Sequence, residues 1–140
     1  MQEKTLCIIK PDAYRAGNVG AILAQIEENR FRIVALKLIR MDKDMASGFY
    51  AVHREKPFFG DLIRFMTSDA AVAMILEREG AIVALRNILG ATDSAKASEG
   101  TIRHRFGTSV EKNAVHGSDS PESAAFEIRY LFPGVQFPPS

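Results

Sequence analysis

The segment NAVHGSDS, near the carboxyl end of the chain, contains the first candidate for chemistry, His116. A histidine can act as a metal ligand, a proton shuttle, a nucleophile or a packed polar side chain, so its neighbours must decide between these roles. Gly117 permits close backbone approach, and an acid in the following helix could orient the imidazole ring. His116 is therefore a candidate functional residue at the end of a short predicted strand.

The sequence lacks the motifs of a zinc site, of a serine hydrolase and of a phosphate-binding loop. His53 and His104 have no paired ligand spacing with His116, so a zinc site is not predicted. Cys7 is the only cysteine, which excludes a thiolate pair. The chain has no G-x-S-x-G turn and no G-x-x-x-x-G-K-S/T phosphate loop. Serine hydrolase and P-loop chemistry are therefore not indicated.

Three cationic residues stand at or near the ends of predicted elements: Lys10, Arg86 and Arg103. Taken alone, each is most often a solvated surface charge. Grouped around one histidine, they would suit a polyanionic substrate, whose charge such a cluster can stabilise.

The bulk composition narrows the class of protein. With 140 residues, 46% of them hydrophobic, the chain is sized for one domain over residues 1–140. The net charge of +1 argues against a sequence-independent hold on nucleic acid or on an acidic membrane surface. The N-terminus carries acids and reaches a proline after a short apolar run, which is typical of neither a signal peptide nor a membrane span. We expect a cytoplasmic protein.

Hydrophobic periodicity predicts the elements that must position these side chains. Strands are predicted at 5–9, 31–39, 71–76 and 114–116. Helices are predicted after caps at Asn18, Asp42 and Ser120, from Pro57, and over 80–89. On the second strand, Val34, Leu36 and Leu38 are expected to share a face, and on the last helix Ala124, Ala125, Ile128 and Leu131 are expected to face inward.

The order of these elements predicts an α+β fold: a ferredoxin-like βαββαβ antiparallel sheet with additional helices and a long loop. The helices are expected on one face of the sheet. Residues 91–100, rich in Ala, Ser, Thr and Asp, form the long loop, whose length is typical of functional loops.

The motifs together resemble the nucleoside diphosphate kinase family. The resemblance rests on these segments: EKTLCIIKPDA, Tyr50 with His53, KPFF, RNILGAT, GTIR and NAVHGSDS. It spans essentially the whole chain. It implies a ping-pong reaction in which the γ-phosphate of a nucleoside triphosphate moves to His116 and then to a nucleoside diphosphate, with broad base specificity. Neutral imidazole suits this role because its ordinary pKa is about 6.5.

The resemblance also implies a role for each site residue. Glu127 would hydrogen-bond the ring nitrogen of His116 that does not attack, and Ser118 would support that carboxylate. Lys10 would reach the transferring phosphate and the ribose 3′-hydroxyl, and Tyr50 would hydrogen-bond the lysine. The remaining nucleotide contacts would be Arg86, Thr92 and Arg103 on the outer phosphates, Asn113 on the sugar, Phe58 stacked on the base and Val110 opposite it.

Cofactor and assembly follow from the same resemblance. Mg²⁺ would be carried by the nucleotide phosphates without a protein cage, and the chain would form a homo-oligomer, either a tetramer or a hexamer. The departures from the family pattern are Asp93, Ser94, Glu99, His104 and Arg105. They fall in and just after the long loop, where we expect them to affect loop rigidity and oligomer contacts more than chemistry.

Two other functions stay open at this point. A catalytically silent member of the family would bind nucleotides or regulate, and it should have lost at least one of Lys10, Tyr50, Arg86, Thr92, Arg103, Asn113 and His116, all of which are present. A ferredoxin-like RNA or DNA binder would need exposed aromatics interleaved with basic residues on its sheet, and the strands offer mainly aliphatic ones.

Overall fold

A computed structural model describes residues 2–139 of the chain. Four strands form one antiparallel sheet in the order β2-β3-β1-β4. The strands are β1 Gln2–Ile9, β2 Arg32–Ile39, β3 Ala71–Glu79 and β4 Val115–Gly117. The predicted α+β antiparallel sheet is confirmed, and β1 and β3 are each three residues longer than predicted. The predicted single domain includes positions 1 and 140, which lie outside the described residues.

Seven α-helices and two 3₁₀ turns connect the strands within residues 2–139. The helices are α1 Pro11–Arg15, α2 Val19–Glu28, α3 Lys43–Phe49, α4 Phe59–Met66, α5 Ala81–Leu89, α6 Ile102–Phe106 and α7 Pro121–Leu131. The 3₁₀ turns are Ala51–His53 and Ser94–Lys96. Helix α6 was not predicted from the sequence. Thr101 caps it by accepting a hydrogen bond from the backbone N–H of His104 at 3.3 Å.

The predicted caps have different outcomes. Asp42 accepts from the N–H of Met45 at 2.8 Å, and Ser120 forms a reciprocal capping box at the start of α7. Asn18 precedes α2 as predicted, but its side chain makes no capping hydrogen bond. Helix α4 begins two residues after Pro57, so the predicted role of this proline as the first helical residue was wrong.

The helices pack on both faces of the sheet, which corrects the expectation of one covered face. Along β1, Leu6 and Ile8 enter a core with α3, α4 and α7, whereas Cys7 and Ile9 enter a second core with α2 and α5. A strand buried on both faces is expected to be continuously apolar. The run LCII follows that pattern, and all four of its side chains are buried.

A bulge in β2 explains why its predicted face was wrong. The pairing of β2 with β3 shifts between Ile33 and Ala35, so the extra residue, Val34, changes the side on which later side chains lie. Val34 is buried, but Leu36 and Leu38 are exposed. On α7, Ala124 and Leu131 are buried, Ile128 is half-buried and Ala125 is exposed, so the inward face holds for three of its four predicted residues.

Candidate active site

His116 lies in β4 opposite Ile8 of β1, and a carboxylate holds its ring. The Nε2 atom is 2.8 Å from Oε1 of Glu127, which is in α7. Ser118 donates from Oγ to the same Oε1 at 2.7 Å and accepts from the N–H of Leu6 at 3.3 Å. Because a carboxylate can only accept, Nε2 carries the proton and Nδ1 keeps a free lone pair. Within residues 2–139, Nδ1 makes no hydrogen bond, so it is the nitrogen available to attack an electrophile.

Two aromatic rings pack edge-on against this imidazole. The ring centroids of Phe49 and Tyr50 lie 5.5 and 6.3 Å from that of His116. Burial, and secondly the nearby charge of Glu127, raise the pKa of the Tyr50 phenol, so Tyr50 is neutral. Its hydroxyl is buried and has no hydrogen-bond partner in the described chain. The expected hydrogen bond from Tyr50 to Lys10 is therefore wrong.

Lys10 follows β1 directly and is buried against the loop before β4. Its Nζ donates to Oδ1 of Asn113 at 2.9 Å. Asn113 in turn donates from Nδ2 to the carbonyl of Thr92 at 3.0 Å. Burial, and secondly the Arg103 cation, lower the pKa of Lys10 to about 8, against the opposing charges of Asp12 and Glu111. Lys10 is thus a cation at neutral pH, and the amide that holds it carries no opposing charge.

Arg103 is the buried cation of α6. Its guanidinium donates to the carbonyl of Gly90 at 2.9 Å and to that of Val115 at 3.0 Å, while Nε is buried without a partner. Burial, and secondly the charge of Arg86, lower its pKa to about 10, so it stays charged near neutral pH. These bonds tie the loop after α5 to the strand of His116. A buried guanidinium with an unpaired N–H is suited to bind an anion.

Arg86 approaches the same strand from α5. It is exposed, and its Nη1 lies 3.3 Å from the carbonyl of Gly117. A Cβ at position 117 would lie 2.9 Å from Cδ1 of Leu89 and 3.0 Å from Cδ2 of Leu85. Glycine at this position lets the leucine side chains of α5 pack closely on β4, because a Cβ would force their methyl ends to shift.

The chain reaches β4 through a strained turn. Ala114 is buried and has φ of +72°, in the left-handed region that favours glycine. The N–H of Val115 donates to the carbonyl of Asn113 at 2.8 Å, which closes a γ-turn of the rare, positive-φ kind. Such a conformation costs roughly 1–3 kcal/mol and persists only where its surroundings impose it. This turn could not be predicted from the sequence, because alanine does not favour positive φ.

The residues expected to hold the base are exposed. Phe58, at the start of α4, is 48% exposed, and Val110 is 58% exposed. The ring of His53 lies 5.5 Å from that of Phe58, and its buried Nδ1 has no partner in the described chain. Thr92, which is expected on the outer phosphates and not on the base, is also exposed. This end of the site offers an open aromatic face rather than a closed pocket.

The departures in the long loop make contacts of their own. Asp93 accepts from the N–H of Ala95 at 3.1 Å, and the buried Ser94 donates to the carbonyl of Ser109 at 3.1 Å. Arg105 hydrogen-bonds Gln25 of α2. Glu99 and His104 are exposed. Asp93 therefore caps the 3₁₀ turn inside the loop, Ser94 ties the loop to the segment before β4, and Arg105 ties α6 to α2.

Protein ligands for a metal ion are not gathered anywhere in the described chain. Within residues 2–139, no group of three or more His, Cys, Asp or Glu side chains could hold an ion. Two clefts of about 540 and 520 Å³ lie beside Lys112, and His116 lines neither. No helix among residues 2–139 is long and apolar enough to cross a membrane.

A histidine with one nitrogen fixed and the other available, near buried cations, is the arrangement expected of a histidine-dependent phosphotransferase. The family model for nucleoside diphosphate kinase matches residues 3–137. A nucleoside diphosphate kinase of Syntrophotalea carbinolica is 53% identical over 133 residues, which are 95% of this chain and 97% of the relative. The chain belongs to the nucleoside diphosphate kinase family.

Solved structures of the family agree with this fold. A nucleoside diphosphate kinase of Aquifex aeolicus superposes with a TM-score of 0.93 at 48% identity, covering 96% of this chain and 97% of the other. A halophilic enzyme of the same name from Halobacterium salinarum, solved in complex with CDP, superposes with a TM-score of 0.95 at 34% identity, covering 100% and 93%. The fold and the chemical group at its centre therefore lead to the same class of enzyme.

Proposed function

We propose that this protein is a nucleoside diphosphate kinase that transfers phosphate through His116. The observation that carries the proposal is the 2.8 Å contact between Nε2 of His116 and Glu127, because it fixes the tautomer that leaves Nδ1 as nucleophile. The Nδ1 lone pair attacks the γ-phosphorus of a nucleoside triphosphate. A phosphorus–nitrogen bond forms, the bond to the β–γ bridging oxygen breaks, and the nucleoside diphosphate leaves with the electron pair.

The second half of the reaction reverses the first with another nucleotide. A terminal oxygen of a nucleoside diphosphate attacks the phosphohistidine, and the electron pair returns to Nδ1. The charge that spreads over the transferring oxygens is stabilised by cations already in place. We assign this role to Lys10, Arg86 and Arg103, with Thr92 on the outer phosphates and Asn113 on the sugar. The buried position of Lys10 and Arg103 supports the assignment, because cations act more strongly where water is excluded.

Ser118 and Glu127 are proposed to position the imidazole ring of His116, and Tyr50 is proposed to pack against that ring. The Glu127 carboxylate also stabilises the positive charge that the ring gains as it becomes phosphorylated. Since Tyr50 makes no hydrogen bond to Lys10, we assign it the role of packing edge-on against the imidazole ring of His116.

The base is proposed to stack on Phe58, with Val110 opposite. Both side chains are apolar and about half exposed, so neither fixes a donor or an acceptor against the polar edge of a base. Strong selection of one base needs buried polar groups that a wrong base would leave unpaired. We therefore propose that the enzyme accepts purine and pyrimidine nucleotides, ribo and deoxy.

Magnesium, assembly and location complete the proposal. Mg²⁺ supplies charge neutralisation on the phosphates and would arrive with the nucleotide, in agreement with its preference for phosphate and water oxygens. We propose one domain over residues 1–140 and a homo-oligomer in the cytoplasm, where nucleotides circulate. Light scattering separates tetramer from hexamer by mass.

Labelling of the protein tests the proposed intermediate. Incubation with a γ-labelled nucleoside triphosphate and Mg²⁺ should leave acid-labile, base-stable label on His116, because a phosphoramidate forms rather than an ester. Addition of a nucleoside diphosphate should discharge it. Label that maps to a serine contradicts the mechanism, and an unlabelled protein that still binds nucleotide indicates the catalytically silent alternative.

A further inference from the structure

Asp12 touches the strained turn at Ala114, and the proposed reaction assigns it no role. Its Oδ2 accepts from the N–H of Ala114 at 3.1 Å. From the same segment, the N–H of Lys10 donates to the carbonyl of Ala114 at 2.8 Å. Both backbone polar groups of Ala114 are therefore held by residues 10–12, which follow directly after β1.

The turn joins the two parts of the site that must stay aligned. On one side of Ala114, Asn113 holds Nζ of Lys10 at 2.9 Å. On the other side, two residues along, His116 lies in β4. A left-handed alanine relaxes unless its surroundings oppose it, and without Asp12 its buried N–H would have no partner. Relaxation there would move Asn113 and Lys10 relative to His116.

We propose that Asp12 is a positioning residue for phosphoryl transfer, whose carboxylate holds the Ala114 turn and so fixes Lys10 relative to His116. It acts through the backbone and touches none of the reacting atoms. The inference rests on the proposed function. Misplacement of a catalytic group by a small distance is enough to slow transfer strongly.

Three variants separate this role from a general effect on folding. Asp12→Ala should lower kcat about 10- to 100-fold, the effect expected from loss of one hydrogen bond to a charged group. Asp12→Asn keeps an oxygen that can accept from Ala114, but Oδ1 of Asp12 is buried without a partner, so one new amide group would lie unpaired. Its kcat should therefore lie between those of wild type and Asp12→Ala, roughly fivefold below wild type.

The third variant adds Ala114→Gly to Asp12→Ala. Glycine adopts positive φ without strain, so the double variant removes the strain that Asp12 opposes, while the N–H at position 114 still lacks its partner. This double variant should recover at least about fivefold in kcat over Asp12→Ala alone. Removal of an uncharged methyl group would not be expected to restore activity if Asp12 acted only through its charge on Lys10.

Asp44→Ala is the matched control, because Asp44 is an exposed aspartate in the first turn of α3, as Asp12 is in the first turn of α1. It should keep the wild-type kcat. Asp12→Ala activity equal to that of the control, Asp12→Asn as slow as Asp12→Ala, or no recovery on adding glycine would each overturn the proposal. If Asp12→Ala does not fold, the double variant carries the test: it should fold and transfer phosphate, and its failure to fold would also overturn the proposal.

Amide hydrogen exchange at Ala114 keeps this inference distinct from the proposed function. The Ala114 N–H should exchange faster in Asp12→Ala than in wild type, while amides in the middle of β1 stay unchanged. If wild type forms no phosphohistidine, the proposed function fails, and accelerated exchange would still support the hold of Asp12 on the turn. Unchanged exchange would overturn that hold whatever the activity.

Discussion

The phosphate end and the base end of the proposed nucleotide site are built in opposite ways. At the phosphate end, Lys10 and Arg103 are buried and each is fixed by hydrogen bonds before any nucleotide arrives. At the base end, Phe58 and Val110 are about half exposed, and the Phe58 ring makes a tilted contact with His53. Preorganised charge accelerates chemistry, whereas an open apolar surface only adds affinity. The two ends should therefore respond differently to mutation.

His116→Ala should give the largest effect, complete loss of phosphate transfer. The ring supplies the covalent step, but the cations that hold the phosphates remain, so nucleotide affinity should change by no more than about threefold. Turnover and calorimetric binding measure the two quantities. His104→Ala, at an exposed histidine, is the control and should behave as wild type. If His116→Ala lost nucleotide affinity as completely as phosphate transfer, the claim that the cations hold the phosphates without the His116 ring would be wrong.

Arg103→Ala should lower kcat by about 10²–10³ and change KM much less, because a preorganised donor acts mainly on charge that develops in the transition state. Steady-state kinetics over a range of nucleoside diphosphate gives both constants. Arg129→Ala, at an exposed arginine of α7, is the matched control and should leave both unchanged. Comparable changes in kcat and KM would show that Arg103 binds ground state and transition state equally.

The pH dependence of kcat/KM should report the loss of charge on the buried Lys10. Lys10 loses its charge as pH rises through about 8, so kcat/KM should fall about tenfold per pH unit above that value. Unfolding does not explain such a fall. Burial of the Lys10 cation lowers the free energy of unfolding, and this destabilisation is complete below pH 8. It is lost as pH rises from about 8 to the ordinary pKa of 10.5, so the contribution of Lys10 to stability improves over that range. Lys10→Gln should be slow and should lack this alkaline limb. An alkaline limb that survives in Lys10→Gln would assign it to another group.

Phe58→Ala should give the smallest effect. Stacking on an aromatic ring contributes about 1–3 kcal/mol per base, and the exposure of Phe58 places this site near the lower value, roughly a five- to tenfold rise in KM. The factor should be similar for adenine, guanine, cytosine and thymine diphosphates, with kcat nearly unchanged. Phe126→Ala, at a phenylalanine of similar exposure on α7, is the control. A rise in KM for nucleotides of one base only would show that Phe58 discriminates between bases.

The elements around His116 were predictable because each has a strong local signal. The run LCII before Lys10, the Ser120 cap with Pro121, and Gly90 after α5 gave the ends of β1, α7 and α5. The fold class followed from their order. Lys10 and the loop beside Arg103 lie at these termini of β1 and α5. The phosphate end of the proposed nucleotide site could therefore be predicted in outline from local patterns.

Features that depend on packing between distant segments could not be predicted in this way. The bulge at Val34 reverses the exposed face of β2, and nothing in its apolar sequence indicates where the extra residue falls. Tyr50 was expected to bond Lys10, but its buried hydroxyl has no hydrogen-bond partner in the described chain, and Nζ of Lys10 donates to Asn113. The left-handed Ala114 is imposed by its neighbours against its own preference.

Gly117 sets how far the catalytic centre can change in evolution. Leu85 and Leu89 occupy the space that any side chain at position 117 would need, and Arg86 lies between them on the same helix. A mutation from glycine would force the methyl ends of Leu85 and Leu89 to shift by a few tenths of an ångström, on the helix that carries Arg86. The methyl group missing at position 117 therefore lets a charged helix lie close to the strand of the nucleophile. We expect descendants of this protein to diverge sooner at the exposed positions around Phe58 and Val110 than at Gly117.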